Sequence, residues 1–240
     1  MLLTVVDYGV GNLRSIAKSI EKANSDNNLN YSVKVSSDVN DVKKSDKIVL
    51  PGQGSFKACR EGIDNISGLN NELNESVLNK NKAIFGICAG MQLFATTGYE
   101  EKKTEGLNWI PGEVVKLELG EADLKVPHMG WNEIKTVNSS SVFNDLADNN
   151  HAYFIHSYEF IPKDKRTVSL TTNYGKDIVA AISFKNIYGT QFHPEKSQNT
   201  GIKILTNFLK LLDFVLFLIH LFYSHLASFL QIFSLPLKLK

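Results

Sequence analysis

The chain has 240 residues, 43% of them hydrophobic and 21% charged, and its 26 basic and 25 acidic residues give a net charge of +1. This balance excludes a disordered or coiled-coil chain and leaves no basic excess for binding nucleic acid. The two cysteines, Cys59 and Cys88, are too few for a disulfide framework or a four-thiolate zinc site. The first residues lack the basic stretch of a secretory signal, so we expect a cytoplasmic protein.

The first part of the chain alternates short apolar runs with stretches of helical periodicity. In chain order it predicts a strand at 2–6, a helix at 13–23, strands at 31–35 and 48–50, a helix at 70–79 and a strand at 83–87. Strands that alternate with helices are typical of a mainly parallel sheet with right-handed crossovers.

Beyond Pro111 the pattern changes to short strands separated by turn residues. The predicted strands cover 114–119, 133–137, 153–160, 168–172, 179–184 and 189–192. They suggest antiparallel or mixed strands that continue or flank the same sheet. Residues 200–212 return to helical periodicity and end a predicted domain at 1–212.

Residues 213–240 differ in character from the domain. Residues 214–235 carry no formal charge, and a helix of this length could cross a bilayer. Histidines, serines and Gln231 lie inside this stretch, however, and lysines flank it on both sides. Asparagine is frequent up to Asn207 and absent afterwards. We therefore interpret 213–240 as a frameshift or read-through tail in preference to a membrane anchor.

A Gly-x-Cys-x-Gly pentapeptide carries the sharpest chemical signal. A buried strand enters it, Cys88 is its centre, and a helix is predicted to leave it. This is the pattern of a nucleophile elbow with cysteine in place of serine, and Gly86 and Gly90 allow the tight turn. A helix N-terminus favours the thiolate, and the Ala89 amide would point to where an oxyanion forms. These features favour a nucleophile over a buried structural cysteine.

A thiolate nucleophile needs a base, and the base needs a group that orients it. His193 and Glu195 are two apart in an extended segment, so both side chains can face one site, and Pro194 fixes the backbone between them. His156 is the second candidate for the base and His128 the third. His193 ranks first because it alone has a carboxylate two positions away.

The turn Pro51-Gly52-Gln53-Gly54 follows a predicted strand and could supply a second oxyanion amide from Gly52 or Gln53. From its spacing alone, a plain turn between a strand and a helix is the favoured interpretation. Gln92 lies one helical turn beyond Cys88 and could contact a substrate or close the site. The chain has no complete nucleotide-binding motif and no His or Cys pair with metal-ligand spacing, so we expect no cofactor and no metal.

Together, the segments 86–92 and 191–195 resemble the class-I, triad-type glutamine amidotransferases. Residues 7–15, 126–132 and the pair Lys196-Ser197 narrow the resemblance to the glutaminase subunits of imidazole glycerol phosphate synthases, in histidine biosynthesis. The resemblance runs from residue 2 to about 212. It implies an α/β, flavodoxin-like fold of three layers around a central, mostly parallel sheet.

For the site, the resemblance implies that Cys88 attacks the side-chain amide of glutamine and that His193 transfers protons while Glu195 orients it. Ala89 and the Gly52–Gln53 turn would bind the oxyanions. It further implies a (β/α)8 cyclase partner that uses the ammonia to form imidazole glycerol phosphate and an aminoimidazole carboxamide ribotide, with Asn12, Trp131 and Lys196 toward that partner. A glutaminase of another synthase, a non-catalytic amidotransferase-like module and a cysteine peptidase remain alternatives.

Overall fold

The computed structural model describes residues 1–120, 124–146 and 150–211. The segment 213–240, predicted as a tail, lies outside the described residues. The helices are α1 (Leu13–Asp26), α2 (Val39–Lys44), α3 (Phe56–Asp64), α4 (Leu69–Asn74), α5 (Ala89–Gln92) and α6 (Gln198–Lys210). A π-helical turn, Glu75–Asn79, continues α4, and 3-10 turns cover Lys165–Thr167 and Pro194–Lys196.

Fourteen short strands are found in the described residues. They are β1 (Leu2–Val6), β2 (Ser32–Ser36), β3 (Lys47–Leu50), β4 (Ala83–Ile87), β5 (Thr97–Gly98), β6 (Thr104–Glu105), β7 (Gly112–Lys116), β8 (His128–Glu133), β9 (Lys135–Thr136), β10 (His151–His156), β11 (Tyr158–Pro162), β12 (Val168–Asn173), β13 (Asp177–Phe184) and β14 (Ile187–Thr190).

The central sheet has the order β2-β1-β3-β4-β14-β13-β12-β9. Its first five strands are parallel, and the last three pair antiparallel. Five parallel strands in this order are the flavodoxin-like arrangement, in which ligands bind at the carboxyl ends of the strands. The predicted α/β fold with a mostly parallel sheet and a mixed continuation is confirmed.

Apolar side chains are buried on both faces of this sheet, which explains the continuous apolar runs in its parallel strands. On one face, α1 and α6 bury Ile16, Ile20, Leu205 and Phe208. On the other face lie Phe56 of α3 and Met91 of α5, together with side chains of the small sheet β11-β7-β5-β6. The result is three layers with a core on each side of the sheet.

Three predicted elements differ from the structure. The strand predicted at 153–160 is wrong as one element, because β10 pairs with β8 whereas β11 pairs with β7 in another sheet. The strand predicted at 133–137 is not one strand, because β8 ends at Glu133 and only the two residues of β9, Lys135–Thr136, form a strand beyond it. The helix predicted at 70–79 is α-helical only through Asn74.

The carboxyl ends of β3, β4 and β14 lie side by side in the middle of the sheet. The turn after Leu50, the elbow after Ile87 and the segment after Thr190 therefore meet at one edge. The Cys88 amide donates to the carbonyl oxygen of Thr190 over 2.7 Å, which joins the second and third of these segments. No helix in the described part of the chain is both long and apolar enough to cross a bilayer.

Candidate active site

Cys88 occupies a tight turn between β4 and α5. Its φ is 55°, a value that non-glycine residues seldom adopt and that marks strained functional positions. A Cβ added to Gly90 would lie 2.1 Å from the Leu50 carbonyl oxygen, and one at Gly86 would lie 2.7 Å from the Met91 backbone. Any side chain at Gly86 or Gly90 would clash with the neighbouring backbone, so the tight turn around Cys88 needs glycine at both positions. The predicted helix after Cys88 is a single turn, so the helix dipole contributes little to the thiolate.

His193 and Glu195 face one site, as their spacing predicts. The His193 Nδ1 atom lies 2.8 Å from Glu195 Oε1, and both side chains are buried. Burial lowers the pKa of His193, but hydrogen bonds and charges from Cys88 and Glu195 outweigh it and raise this pKa to about 9. The imidazole is therefore protonated at neutral pH and lies beside the Cys88 sulfur.

The other two candidate bases form a pair of neutral histidines. The His128 Nδ1 and His156 Nε2 atoms are 3.0 Å apart, and burial lowers the pKa of each ring to about 4. Because His156 Nδ1 donates to the carbonyl oxygen of Tyr158 over 2.9 Å, its Nε2 accepts from His128. His156 lines the site without a carboxylate partner, so His193 is better suited to proton transfer.

A cavity of about 290 Å³ opens at the Cys88 sulfur. Its lining includes the predicted site residues Gln53, Cys88, Ala89, Gln92 and His193, together with Glu100 and Tyr158. The structure thus brings the nucleophile, the histidine and the turn after β3 to one pocket.

The turn after β3 packs directly against the elbow. A Cβ added to Gly52 would lie 2.0 Å from the Gly90 nitrogen and 2.5 Å from the Ala89 carbonyl carbon. Ala89 is the first residue of α5, so its amide has no acceptor one turn earlier in the helix. The Gln53 amide, in contrast, interacts with the sulfur of Cys59, a buried residue of α3. In this conformation the Ala89 amide is available as an oxyanion donor, whereas the Gln53 amide, one of the two candidates for the second donor, is directed toward Cys59.

Two residues at the site were given no role by the sequence analysis. Glu100 is the acidic residue of the cavity lining, its carboxylate accepts from the Phe56 amide over 2.6 Å, and burial raises its pKa. Gln191 donates from Nε2 to the Cys88 sulfur over 3.6 Å and accepts from Gln92 Nε2 over 2.9 Å. Gln191 precedes His193 by two residues in an extended segment, and this spacing could have indicated that both side chains face the site. Glu100 lies in an irregular loop, where the sequence has no comparable pattern.

Within the described ranges, no group of three His, Cys, Asp or Glu side chains could hold a metal ion.

The family model for class-I glutamine amidotransferases matches residues 4–212. The chain belongs to this family. The class-I amidotransferase described here is 47% identical over 211 residues to imidazole glycerol phosphate synthase subunit HisH of Pelagibacter ubique, a match that spans 88% of this chain and 100% of the relative. The proteins of the same name from Rhodopseudomonas palustris and Brucella suis are 44% and 42% identical over 213 residues, each match spanning 88% of this chain and 99% of the relative.

Solved structures support the same fold for the amidotransferase at much lower identity. A crystal structure of a glutamine amidotransferase has a TM-score of 0.65 at 16% identity, with 86% of this chain and 97% of the other covered. A glutamine amidotransferase from Thermotoga maritima has a TM-score of 0.58 at 17% identity, with 83% and 78% covered. These structures share the fold of this chain.

Proposed function

We propose that this amidotransferase hydrolyses glutamine to glutamate and ammonia through a thioester on Cys88. The ammonia passes to a cyclase that makes imidazole glycerol phosphate and an aminoimidazole carboxamide ribotide. The observation that carries the proposal is a strained cysteine and His193 at one cavity, with the buried Glu195 carboxylate 2.8 Å behind the His193 ring. The HisH relatives, matched over nearly their whole length, give the metabolic context.

In the first half-reaction the Cys88 thiolate attacks the side-chain amide carbon of glutamine, and the carbonyl oxygen becomes an oxyanion. His193 starts as the imidazolium and gives its proton to the amide nitrogen. The carbon–nitrogen bond then breaks, ammonia leaves, and a glutamyl thioester remains on the sulfur. A pKa raised to about 9 suits this step, because the histidine must hold a proton when the substrate arrives.

In the second half-reaction His193, now neutral, takes a proton from water as the water oxygen attacks the thioester carbon. The carbon–sulfur bond breaks, the electron pair returns to Cys88, and glutamate is released. Glu195 orients the ring through Nδ1 and stabilises the imidazolium that forms again. The enzyme is restored with the same charges that it had at the start.

Both half-reactions pass through an oxyanion that needs hydrogen-bond donors. The amide of Ala89 supplies one, and the Gly52–Gln53 turn supplies the second when the Gln53 amide leaves Cys59 and turns toward the cavity. We therefore expect low activity from the isolated chain and a large increase when the partner stabilises the other turn conformation.

Glutamine carries an ammonium group that needs a negative partner in the pocket. Glu100 is the acidic lining residue, and its carboxylate accepts one backbone hydrogen bond while keeping further acceptor capacity. We assign Glu100 to the substrate ammonium. The Gln92 carbonyl oxygen is a candidate for a further polar contact.

The surface around β8 is the candidate docking face for a (β/α)8 cyclase. Met129 and Trp131 are 63% and 48% exposed, which is unusual for apolar side chains of this size. Lys196 is exposed nearby, with its ammonium 5.6 Å from the Tyr153 ring, and Asn12 is exposed at the start of α1. The family resemblance assigns Asn12, Trp131 and Lys196 to the partner side, and the exposure of all three leaves them accessible to a partner.

A glutaminase assay of the chain with its cyclase, with and without the cyclase nucleotide, tests the proposal. We expect glutamate release that rises strongly in the loaded complex, together with formation of the cyclised product, and no cleavage of peptides. Peptide cleavage would favour a cysteine peptidase. Activation only by the synthase partner of another pathway would assign a different amidotransferase, and no hydrolysis with any partner would favour a binding module.

A further inference from the structure

A chain of buried amides leads from the backbone of β11 to the nucleophile. The Gln92 Nε2 atom donates to the carbonyl oxygen of Tyr158 over 3.0 Å and to Gln191 Oε1 over 2.9 Å. Gln191 Nε2 in turn donates to the Cys88 sulfur over 3.6 Å. Gln191 is fully buried and Gln92 almost so, which leaves neither amide free to exchange its partners for bulk water.

The donor and acceptor in each of these hydrogen bonds follow from the Tyr158 carbonyl oxygen, at which the series begins. The Tyr158 carbonyl oxygen can only accept, so the Gln92 atom beside it must be the amide nitrogen. That nitrogen directs its second hydrogen to Gln191, whose facing atom must therefore be the carbonyl oxygen. The amide nitrogen of Gln191 is consequently the atom that faces Cys88. A reversed amide at either glutamine would place two donors or two acceptors against each other.

The same carbonyl oxygen of Tyr158 also accepts from His156 Nδ1 over 2.9 Å. Both of its lone pairs are thus used, which fixes the position of Gln92 from the opposite side. The neutral His156 ring lies against the pocket as part of this frame and is not needed there as a base.

We propose that Gln191 is a catalytic residue, whose amide N–H donates to the Cys88 sulfur and favours its thiolate form, and that Gln92 is the positioning residue that orients this amide. The inference rests on the proposed function, since it adds a residue to that reaction. A donor to the sulfur favours the thiolate that attacks glutamine. It also favours sulfur as the leaving group when the thioester is hydrolysed, because the electron pair of the breaking carbon–sulfur bond returns to the same atom.

Alkylation of Cys88 by iodoacetamide measures the thiolate without requiring glutamine, so it separates this inference from the proposed function. The thiolate displaces iodide, and peptide mass spectrometry follows the modified residue in the full chain. Cys59 is an internal control for folding, because burial raises the pKa of its thiol to about 12 and it stays unmodified in the folded protein.

In Gln191→Leu we expect the rising limb of the alkylation rate against pH to move upward by about one pH unit, since a hydrogen bond to a charged group is lost. Gln191→Glu keeps the length of the side chain and can accept from Gln92, but its carboxylate cannot donate, so the shift should be at least as large. Thr190→Val is the matched control: it removes a neighbouring buried hydroxyl that donates to Phe192 and does not contact the sulfur, and it should leave the curve in place.

Gln92→Leu should shift the curve in the same direction, and adding it to Gln191→Leu should shift the curve no further, because Gln92 acts through Gln191. The titratable groups near the sulfur are present in every variant compared; they are His193 with Glu195, His156, Glu100, Tyr8 and Cys59. If the curves of wild type, Gln191→Leu and Gln191→Glu coincide while Cys59 stays protected, Gln191 is a structural residue and the inference is wrong. Additive shifts from Gln92 and Gln191 would overturn the positioning role of Gln92.

Discussion

His193 and Glu195 contribute differently to the same proton transfers. His193 gives its proton to the leaving ammonia and later takes one from water, whereas Glu195 holds the ring and stabilises its charge. We expect His193→Ala to lower kcat/KM for glutamine by roughly 10²- to 10⁴-fold and Glu195→Gln to lower it less. Steady-state glutaminase kinetics of the loaded complex provide the comparison, and equal or reversed losses would mean that the roles are exchanged or that His156 is the base.

The pKa of His193 gives the same pair a pH signature. Glu195 is one of the groups that raise this pKa to about 9, so the imidazolium is lost as the pH rises through that value. In Glu195→Gln the alkaline limb of kcat/KM should therefore move to lower pH. If the alkaline limb of kcat/KM lies at the same pH in the wild type and in Glu195→Gln, Glu195 does not raise the pKa of His193.

The paired histidines His128 and His156 should make the fold sensitive to acid. Their pKa values of about 4 lie below the ordinary value of about 6.5, so the unfolded chain binds protons more readily than the folded one. Stability is therefore fully present above about pH 6.5 and falls as the pH approaches 4. We expect a loss of about 1 kcal/mol per histidine in the free energy of unfolding between about pH 7 and about pH 5.5.

Urea unfolding at the two pH values measures this loss. The double variant His128→Gln, His156→Gln lacks both imidazoles and should show a clearly smaller difference between them. An equal difference in wild type and double variant would assign the acid sensitivity to other groups.

At the scale of elements, a buried lysine joins β3 to the end of α6. The Lys47 ammonium donates to the carbonyl oxygens of Phe208, Leu209 and Leu211 over 3.0, 2.7 and 2.8 Å. Carbonyls in the last turn of a helix have no intrahelical donor, and a cation there also interacts favourably with the helix dipole. The lysine therefore fixes the carboxyl end of the last described helix against the central sheet.

We expect Lys47→Met to lower the free energy of unfolding by about 2–4 kcal/mol, because it leaves buried carbonyl groups without a donor. Lys44→Met, at an exposed lysine near the end of α2, serves as the matched control and should change stability by less than about 0.5 kcal/mol. Urea unfolding of both variants tests this. If Lys47→Met is as stable as Lys44→Met, other donors replace the Lys47 ammonium.

The sequence predicts best those strands and helices whose residue pattern depends only on the burial of that segment itself. The strands at 2–6 and 83–87 match β1 and β4 to the residue because a fully buried parallel strand is a continuous apolar run. The alternation of residues 153–160 hides the change of sheet after His156, since alternation records which side is buried and not which strand is the partner.

The same distinction applies to the site. The elbow at Cys88 and the alternation of His193 and Glu195 are local patterns, and the strand order then brings them together. The contact of Gln191 with Cys88 depends on amide orientations set by the backbone of β11, and Glu100 reaches the pocket from the loop after β5. Spacing places Gln191 on the same side as His193, but it gives neither the orientation of the Gln191 amide nor the position of Glu100, because both depend on how separate sheets pack.

At the scale of the whole molecule, we propose that the catalytic domain ends near residue 212. The family model ends at residue 212, the first HisH relative matches 211 residues or 88% of the chain, and Lys47 already fixes the end of α6. A chain of residues 1–212 should fold, bind the cyclase and release ammonia as the full chain does, with a higher solubility. Unfolding of the shortened chain, or recovery of the native protein with membranes, would contradict the interpretation of this segment as a tail.

The central claim is that this chain supplies ammonia through Cys88 and does not take part in its use. The most direct measurement compares glutamine-dependent and ammonia-dependent synthesis by the complex of the Cys88→Ala variant with the cyclase. Glutamine-dependent synthesis should fall to background, whereas synthesis from added ammonium salt should match that of the wild-type complex. Loss of both activities in a well-folded complex, or glutamine-dependent synthesis that survives the substitution, would contradict the account.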